Sequence, residues 1–123
     1  MSEHKRRLLV IDDDASIRGF LAEALTDEGY EVSTASDGLE ALSILDTWLP
    51  DVILLDLMMP KMDGWAFRAR QQLMPALAHV PVIVLSATRD LALKAQDLQP
   101  AYLFSKPFDL DELLTTVAEV ANA

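Results

Sequence analysis

The sequence predicts an α/β domain: a doubly wound (βα)5 arrangement in which a five-stranded parallel sheet carries helices on both faces. Three observations lead there. Short apolar runs without polar alternation, at Leu8 to Ile11, Val52 to Leu55 and Val82 to Leu85, have the pattern of strands buried on both faces. The stretches between them repeat apolar residues at helical spacing. Strand and helix patterns then alternate from end to end, which favours parallel strands joined by right-handed helical crossovers.

Each element follows from local chemistry. Leu8 to Ile11 forms the first strand and ends in Asp12, Asp13 and Asp14. Ile17, Phe20, Leu21, Ala24 and Leu25 make one apolar helix face, with Asp14 or Ser16 as N-cap and Gly29 closing the helix. Val32 to Ala35 is a less apolar strand, nearer an edge. Asp37-Gly38 turns into a second helix with Ala41, Leu42, Leu45 and Trp48 on one side, stopped by Pro50. Val52 to Leu55 follows and ends at or just after Asp56, because Pro60 and Asp63-Gly64 are turn chemistry. A third helix runs roughly from Trp65 to Leu73 with Phe67 inward, and Pro75 and Pro81 bracket a loop containing His79. Val82 to Leu85 leads into Ser86-Ala87-Thr88. Leu91, Ala95 and Leu98 mark a short fourth helix stopped before Pro100. Ala101 to Phe104 is the fifth strand, followed by Ser105-Lys106-Pro107. Asp109 or Asp111 caps a last helix whose Leu110, Leu113, Leu114, Val117 and Val120 face the core.

The 123 residues suit one domain with one core, and no linker, repeat or low-complexity segment divides them. Apolar residues make up 51% and charged residues 24%, a globular balance, and no apolar run approaches the roughly 20 residues a membrane span needs. The basic N-terminal residues precede only four apolar ones, too few for a signal peptide. Without cysteine there is no disulfide framework or thiolate metal site, and a cytoplasmic location is expected. The net charge of -10 argues against direct nucleic-acid binding, which depends on basic residues neutralising phosphates. His4 and His79 lack partners at metal-ligand spacing and are expected at the surface, while Trp48 and the methionines of the central loop are most simply packing residues.

In a parallel sheet all strand carboxyl ends share one edge, where open α/β sheets bind ligands. Asp12, Asp13, Asp56, Ser86 and Lys106 can therefore converge although they span most of the chain. Each is weak evidence singly: acidic residues after a strand often cap a helix, and Ser or Lys-Pro is ordinary loop chemistry. Together they are specific. Two carboxylates about 4 Å apart repel by roughly 1 to 4 kcal/mol near a surface, so three of them call for a cation. A hard divalent ion fits oxygen donors, and Mg2+ fits best, since it keeps several waters and accepts phosphate oxygens. A lysine, a hydroxyl and a metal around one carboxylate suit phosphoryl transfer, with that carboxylate as nucleophile. Asp56, on the central strand, is the candidate acceptor.

These motifs resemble the receiver domain of two-component response regulators. VIDDD at Val10 to Asp14, DLMMPKMDG at Asp56 to Gly64, LSA at Leu85 to Ala87 and KPF at Lys106 to Phe108 match that family in order and spacing. The resemblance covers nearly the whole chain. It implies a flavodoxin-like sheet in the order 2-1-3-4-5, and phosphorylation of Asp56 by a histidine kinase or histidine phosphotransfer protein. It implies Mg2+ held by Asp13, Asp56 and the main-chain carbonyl of Met58, with Asp12 assisting through water. Ser86 is then the switch hydroxyl and Lys106 the phosphate-binding lysine. The chain departs from the family at Leu103, where a Tyr or Phe usually stands three residues before the lysine; Tyr102 and Phe104 flank it. The Ser86 to Lys106 segment also looks slightly short, and Gln99-Pro100-Ala101 replaces the usual Gly-Ala turn, so the fourth helix is expected to be shortened or displaced.

The expected protein is thus a signalling module whose only chemistry is on itself, not a metabolic enzyme. The ending AEVANA lacks linker character, which favours a regulator acting by protein contact over a receiver cut from a longer protein. Two alternatives differ in class. An aspartate-nucleophile phosphohydrolase of the haloacid dehalogenase kind needs a second aspartate two residues after the nucleophile, where this chain has Met58. A degenerate receiver would bind partners without phosphorylation.

Overall fold

The computed structural model describes residues 5–86 and 94–122. Their order is β1 (Arg7–Ile11), α1 (Ala15–Asp27), β2 (Glu31–Ala35), α2 (Gly38–Leu45), β3 (Val52–Asp56), α3 (Gly64–Gln72), β4 (Val82–Ser86), a single 3-10 turn (Ala95–Leu98), β5 (Tyr102–Ser105) and α4 (Leu110–Ala121). The strands form one parallel sheet in the order β2-β1-β3-β4-β5. This is the predicted doubly wound, flavodoxin-like order. It places β3 at the centre and the carboxyl ends of β1, β3, β4 and β5 side by side.

Successive strand residues point to opposite faces, so the sheet builds two apolar layers. On one face Leu9, Ile11, Ile53, Leu55 and Val84 pack with Ala41 and Leu45 of α2 and Phe67 of α3. On the other, Leu8, Val10, Leu54, Ile83 and Leu85 pack with Leu21 and Leu25 of α1 and Leu113 and Val117 of α4. Every residue of β3 and β4 is buried, which explains why those strands show no polar alternation. Each fully buried Leu or Ile contributes roughly 1.5–3 kcal/mol of burial free energy, so these layers fix the frame from which the strand ends project.

Capping chemistry sets the helix starts. Asp14 accepts from the Ser16 and Ile17 amides, Asp37 from Glu40, Asp63 from Ala66 and Asp109 from Glu112. Asp14 and Asp109 are thus the caps, rather than Ser16 and Asp111. At Gly64 the backbone comes unusually close: its N–H donates to the Leu57 carbonyl at 2.9 Å, and a Cβ there would sit 2.8 Å from the Leu57 Cα.

Several expectations need correction. Phe20, assigned to the core face of α1, is 54% exposed and lines an open groove with Pro107 and Phe108 of the β5–α4 loop. Trp48 lies beyond the end of α2; its ring packs against the core, its Nε1 donates to Glu31 and Arg7 stacks over it. The beginning of the predicted fourth helix lies outside the described residues; its described end passes from helical Lys94 into the 3-10 turn, closed by Gln99 in the left-handed region (φ 52°) before Pro100. Leu91, Ala87 and Thr88, and His4 near the N-terminus, lie outside the described residues. Leu103 is half-buried against the α2–α3 layer, whereas Tyr102 and Phe104 stack at 4.8 Å, and Phe104 belongs to the opposite layer.

Candidate functional site

The site forms where the strands end. Asp56 is the last residue of β3 and is 3% exposed; its register partner on β4 is Leu85, so Ser86 stands one step further along the same edge. Ser86 is completely buried and its carbonyl accepts from the Lys106 amide at 2.6 Å. That bond fixes the chain just beyond β5 where its lysine can turn back over the sheet edge. Asp12 follows β1 and is also completely buried; Asp13, next to it, is exposed.

The predicted residues do come together. Carboxylate oxygens of Asp12, Asp13 and Asp56 lie within 4.8 Å of one another. The Lys106 ammonium is 2.9 Å from Asp12 Oδ2 and 3.7 Å from Asp56 Oδ1, with its side chain only 18% exposed. The Met58 amide donates weakly to Asp56 Oδ1 at 3.4 Å, while the Met58 side chain is exposed. Asp12 is held from the other side: its Oδ1 accepts from the Asp14 amide at 2.9 Å, and its carbonyl accepts from Arg18 Nη1 at 2.7 Å.

The electrostatics follow from this crowding. Burial pushes the Asp56 carboxyl up first of all, and the Asp12 carboxylate pushes it further. Lys106 opposes the rise, a side-chain hydrogen bond with Asp13 adds to it, and the Met58 amide opposes it, leaving Asp56 at about 7. For Lys106, burial works against the charge, but the hydrogen bond to Asp12 and the fields of Asp56, Asp12 and Asp13 outweigh it and hold its pKa above the ordinary value. Without a further cation, then, the lysine stays charged while Asp56 shares its site with a proton near neutrality.

Three oxygen-donor side chains this close, one of them protonating unusually easily, fit a hard divalent cation. Sequence reasoning did not single out Arg18, which steadies the Asp12 backbone one helical turn beyond the acidic triplet. An arginine on the polar face of the helix that follows such a triplet is the signal that could have found it.

A doubly wound sheet of this order, with an acidic cluster facing a lysine across its carboxyl edge, defines a class of small α/β signalling domains. Comparison with known proteins narrows it. The family model for the response regulator receiver domain matches residues 8–118. The chain is 40% identical over 120 residues to a probable transcriptional regulator ycf27 of Guillardia theta, a match covering 96% of this chain and 46% of the relative. It is 33% identical over 111 residues to sporulation initiation phosphotransferase F of Bacillus subtilis, covering 90% of each. Among solved structures, the response regulator TrrA of Thermotoga maritima, in complex with Mg2+ and BeF, superposes with a TM-score of 0.82 at 30% identity, covering 94% of this chain and 98% of that one. The chain spans about half the length of the ycf27 relatives and nearly all of the Bacillus protein. It belongs to the response regulator receiver domain family.

Proposed function

We propose that residues 1–123 act as one phosphoacceptor receiver domain in a two-component phosphorelay, with Asp56 taking the phosphoryl group from a histidine kinase or a histidine phosphotransfer protein. The observation that carries this reading is the buried Asp56 carboxylate with Asp12, Asp13 and the Lys106 ammonium gathered around it, in a chain of the receiver family.

In the proposed step an Asp56 carboxylate oxygen attacks phosphorus. The O–P bond forms as the P–N bond of the donor phosphohistidine breaks, and the leaving imidazole takes up a proton. Only ionised Asp56 can attack, so the proton it holds near neutrality must first leave. Asp13, Asp56 and the main-chain carbonyl of Met58 would hold Mg2+, with Asp12 assisting through water. When bound, Mg2+ supplies the positive charge that favours ionised Asp56 and offsets the phosphoryl oxygens. The TrrA complex with Mg2+ and BeF supports this assignment by relationship.

Lys106 already lies between Asp12 and Asp56, so its ammonium needs little movement to donate a charge-assisted hydrogen bond to a phosphoryl oxygen. Ser86, one register step past the acceptor, offers its hydroxyl to a second oxygen. Hydrolysis returns the acceptor, and no separate metabolite is turned over. Ile17, Phe20, Pro107 and Phe108 line an apolar groove with Lys106. A histidine-bearing protein seated over Asp56 would reach this groove through Lys106, and the exposed Phe20 would suit such a docking wall. No helix among the described residues is long and apolar enough to cross a membrane. The charge of -10 suits a partner-binding domain that does not itself contact nucleic acid, and the lack of cysteine suits a cytoplasmic location.

The test is incubation with acetyl phosphate and Mg2+, read by intact mass. One adduct, absent in chelator and absent in Asp56→Asn, is the expected result. No adduct returns the degenerate receiver, and rapid turnover of the acetyl phosphate returns the phosphohydrolase, although Met58 occupies the position of that family's general acid.

A further inference from the structure

The buried stripe of α3 is Gly64, Phe67, Arg68 and Gln71. Two of these four residues are polar. Arg68 is 7% exposed and Gln71 fully buried, where the spacing of a core helix calls for aliphatic side chains. Both are fully engaged. Arg68 Nε donates to the Leu98 carbonyl at 3.1 Å, Nη1 to Gln71 Oε1 at 2.9 Å and Nη2 to the Gln99 carbonyl at 3.5 Å. Gln71 Nε2 donates to the carbonyls of Leu77 and Val80, at 2.9 and 3.0 Å. None of the carboxylates at residues 5–86 or 98–122 lies within ion-pair distance of the guanidinium. A buried charge answered by carbonyls is a poor way to gain stability, since apolar replacements of buried ionic groups are often neutral or better. Its geometry offers a different use.

The network joins three pieces of chain at one point. One is α3, which begins directly after the loop whose Met58 amide touches Asp56. Another is the loop before β4. The third is the end of the 3-10 turn, from which the chain runs through β5 to Lys106. The third piece is also strained: Gln99 sits in the left-handed region at φ 52°, which a residue with a Cβ rarely adopts. Its amide bonds Gln96, and Ala101 N–H bonds the Val82 carbonyl. A strained turn held by a cation on its terminal carbonyls is an arrangement with an alternative: when the cation lets go, the turn can relax.

We propose that the Arg68–Gln71 bridge is a latch that holds the segment from Lys94 to Ala101 against α3 in the unphosphorylated protein and is released when Asp56 is phosphorylated. The second half rests on the phosphoacceptor reading above; the first half does not. The latch is a conformational device and lies outside the phosphoryl chemistry.

Arg68→Met tests it, keeping an unbranched side chain and removing the donors. Hydrogen exchange is followed at the Gln99 and Ala101 amides, with the β3 amides as a measure of global opening. In the unphosphorylated full chain, exchange at Gln99 and Ala101 should speed up about tenfold, the factor expected from losing one charge-assisted hydrogen bond, while β3 protection stays unchanged. Adduct formation with acetyl phosphate and Mg2+ should match the wild type, and the phosphorylation-dependent exchange difference across 94–101 should fall to less than half. Unchanged exchange at Gln99 and Ala101, equal loss of protection in β3, or an undiminished difference on phosphorylation would each overturn the latch. Arg68→Lys retains the charge without the fork and should fall between the two; it carries the test if the methionine variant does not fold. Intact mass on the wild type keeps the two readings apart: without an adduct the receiver chemistry fails, while the resting latch is still judged by exchange.

Discussion

Replacing Lys106 with alanine separates a pocket lysine from a surface one by a measurable margin. Its ammonium lies 2.9 Å from Asp12 Oδ2 and 3.7 Å from Asp56 Oδ1. At an effective dielectric of about 20 these contacts are attractive by about 6 and about 4 kcal/mol before desolvation is counted. The net effect is smaller. Removing one partner of a buried pair costs about 3–5 kcal/mol, and the residual exposure of this lysine favours the lower end, about 3 kcal/mol on the alkaline side of neutrality. The sign with pH follows from Asp56. Its folded pKa of about 7 lies above the ordinary 3.8, so the folded state binds more protons and stability falls as pH rises through that window, levelling off above it. Lys106 is an influence that lowers this pKa, so without it the decline continues past neutrality. Urea unfolding in chelator, at about pH 6 and about pH 8.5, should show a larger deficit for Lys106→Ala at the higher pH. A variant within about 0.5 kcal/mol of wild type at both values would behave as an exposed lysine does and would refute the argument.

Two further outcomes are expected. Gly64→Ala should cost about 1–3 kcal/mol and slow adduct formation, because the new methyl meets the Leu57 backbone at 2.8 Å and must displace the acceptor loop; Gly38→Ala, whose methyl meets the Met62 Cγ at 2.7 Å and Cβ at 2.9 Å, should also destabilise in the same unfolding experiment. Ser86→Ala should still take up phosphoryl from acetyl phosphate, yet show smaller exchange changes over Tyr102 to Lys106 on phosphorylation, since one of the two groups pulling on the phosphoryl oxygens is gone; full-sized changes there would remove Ser86 from the switch.

The strands and the acidic edge were legible in the chain because local patterns encode them. Non-alternating runs such as Val52 to Leu55, short and bounded by turn residues, read as strands covered on both faces, and the βα alternation puts their carboxyl ends on one side, where Asp12, Asp56, Ser86 and Lys106 can meet. Aspartate caps were equally visible, although the choice of Asp14 over Ser16 and of Asp109 over Asp111 depended on where each helix found room to start. Three things were decided only by tertiary packing. Periodicity marks Phe20 as apolar but does not say that its turn of α1 lies beside the β5–α4 loop, where the ring stays exposed. The elevated pKa of Asp56 is a sum over residues from distant parts of the chain at distances no spacing rule supplies. Arg68 and Gln71 look like ordinary polar helix residues in sequence; they are buried because carbonyls at Leu98, Gln99, Leu77 and Val80, up to thirty-one positions away, arrive at the same point and satisfy them. Local pattern fixes which face an element buries, but which polar groups can follow it inside depends on the partners that the rest of the chain brings there.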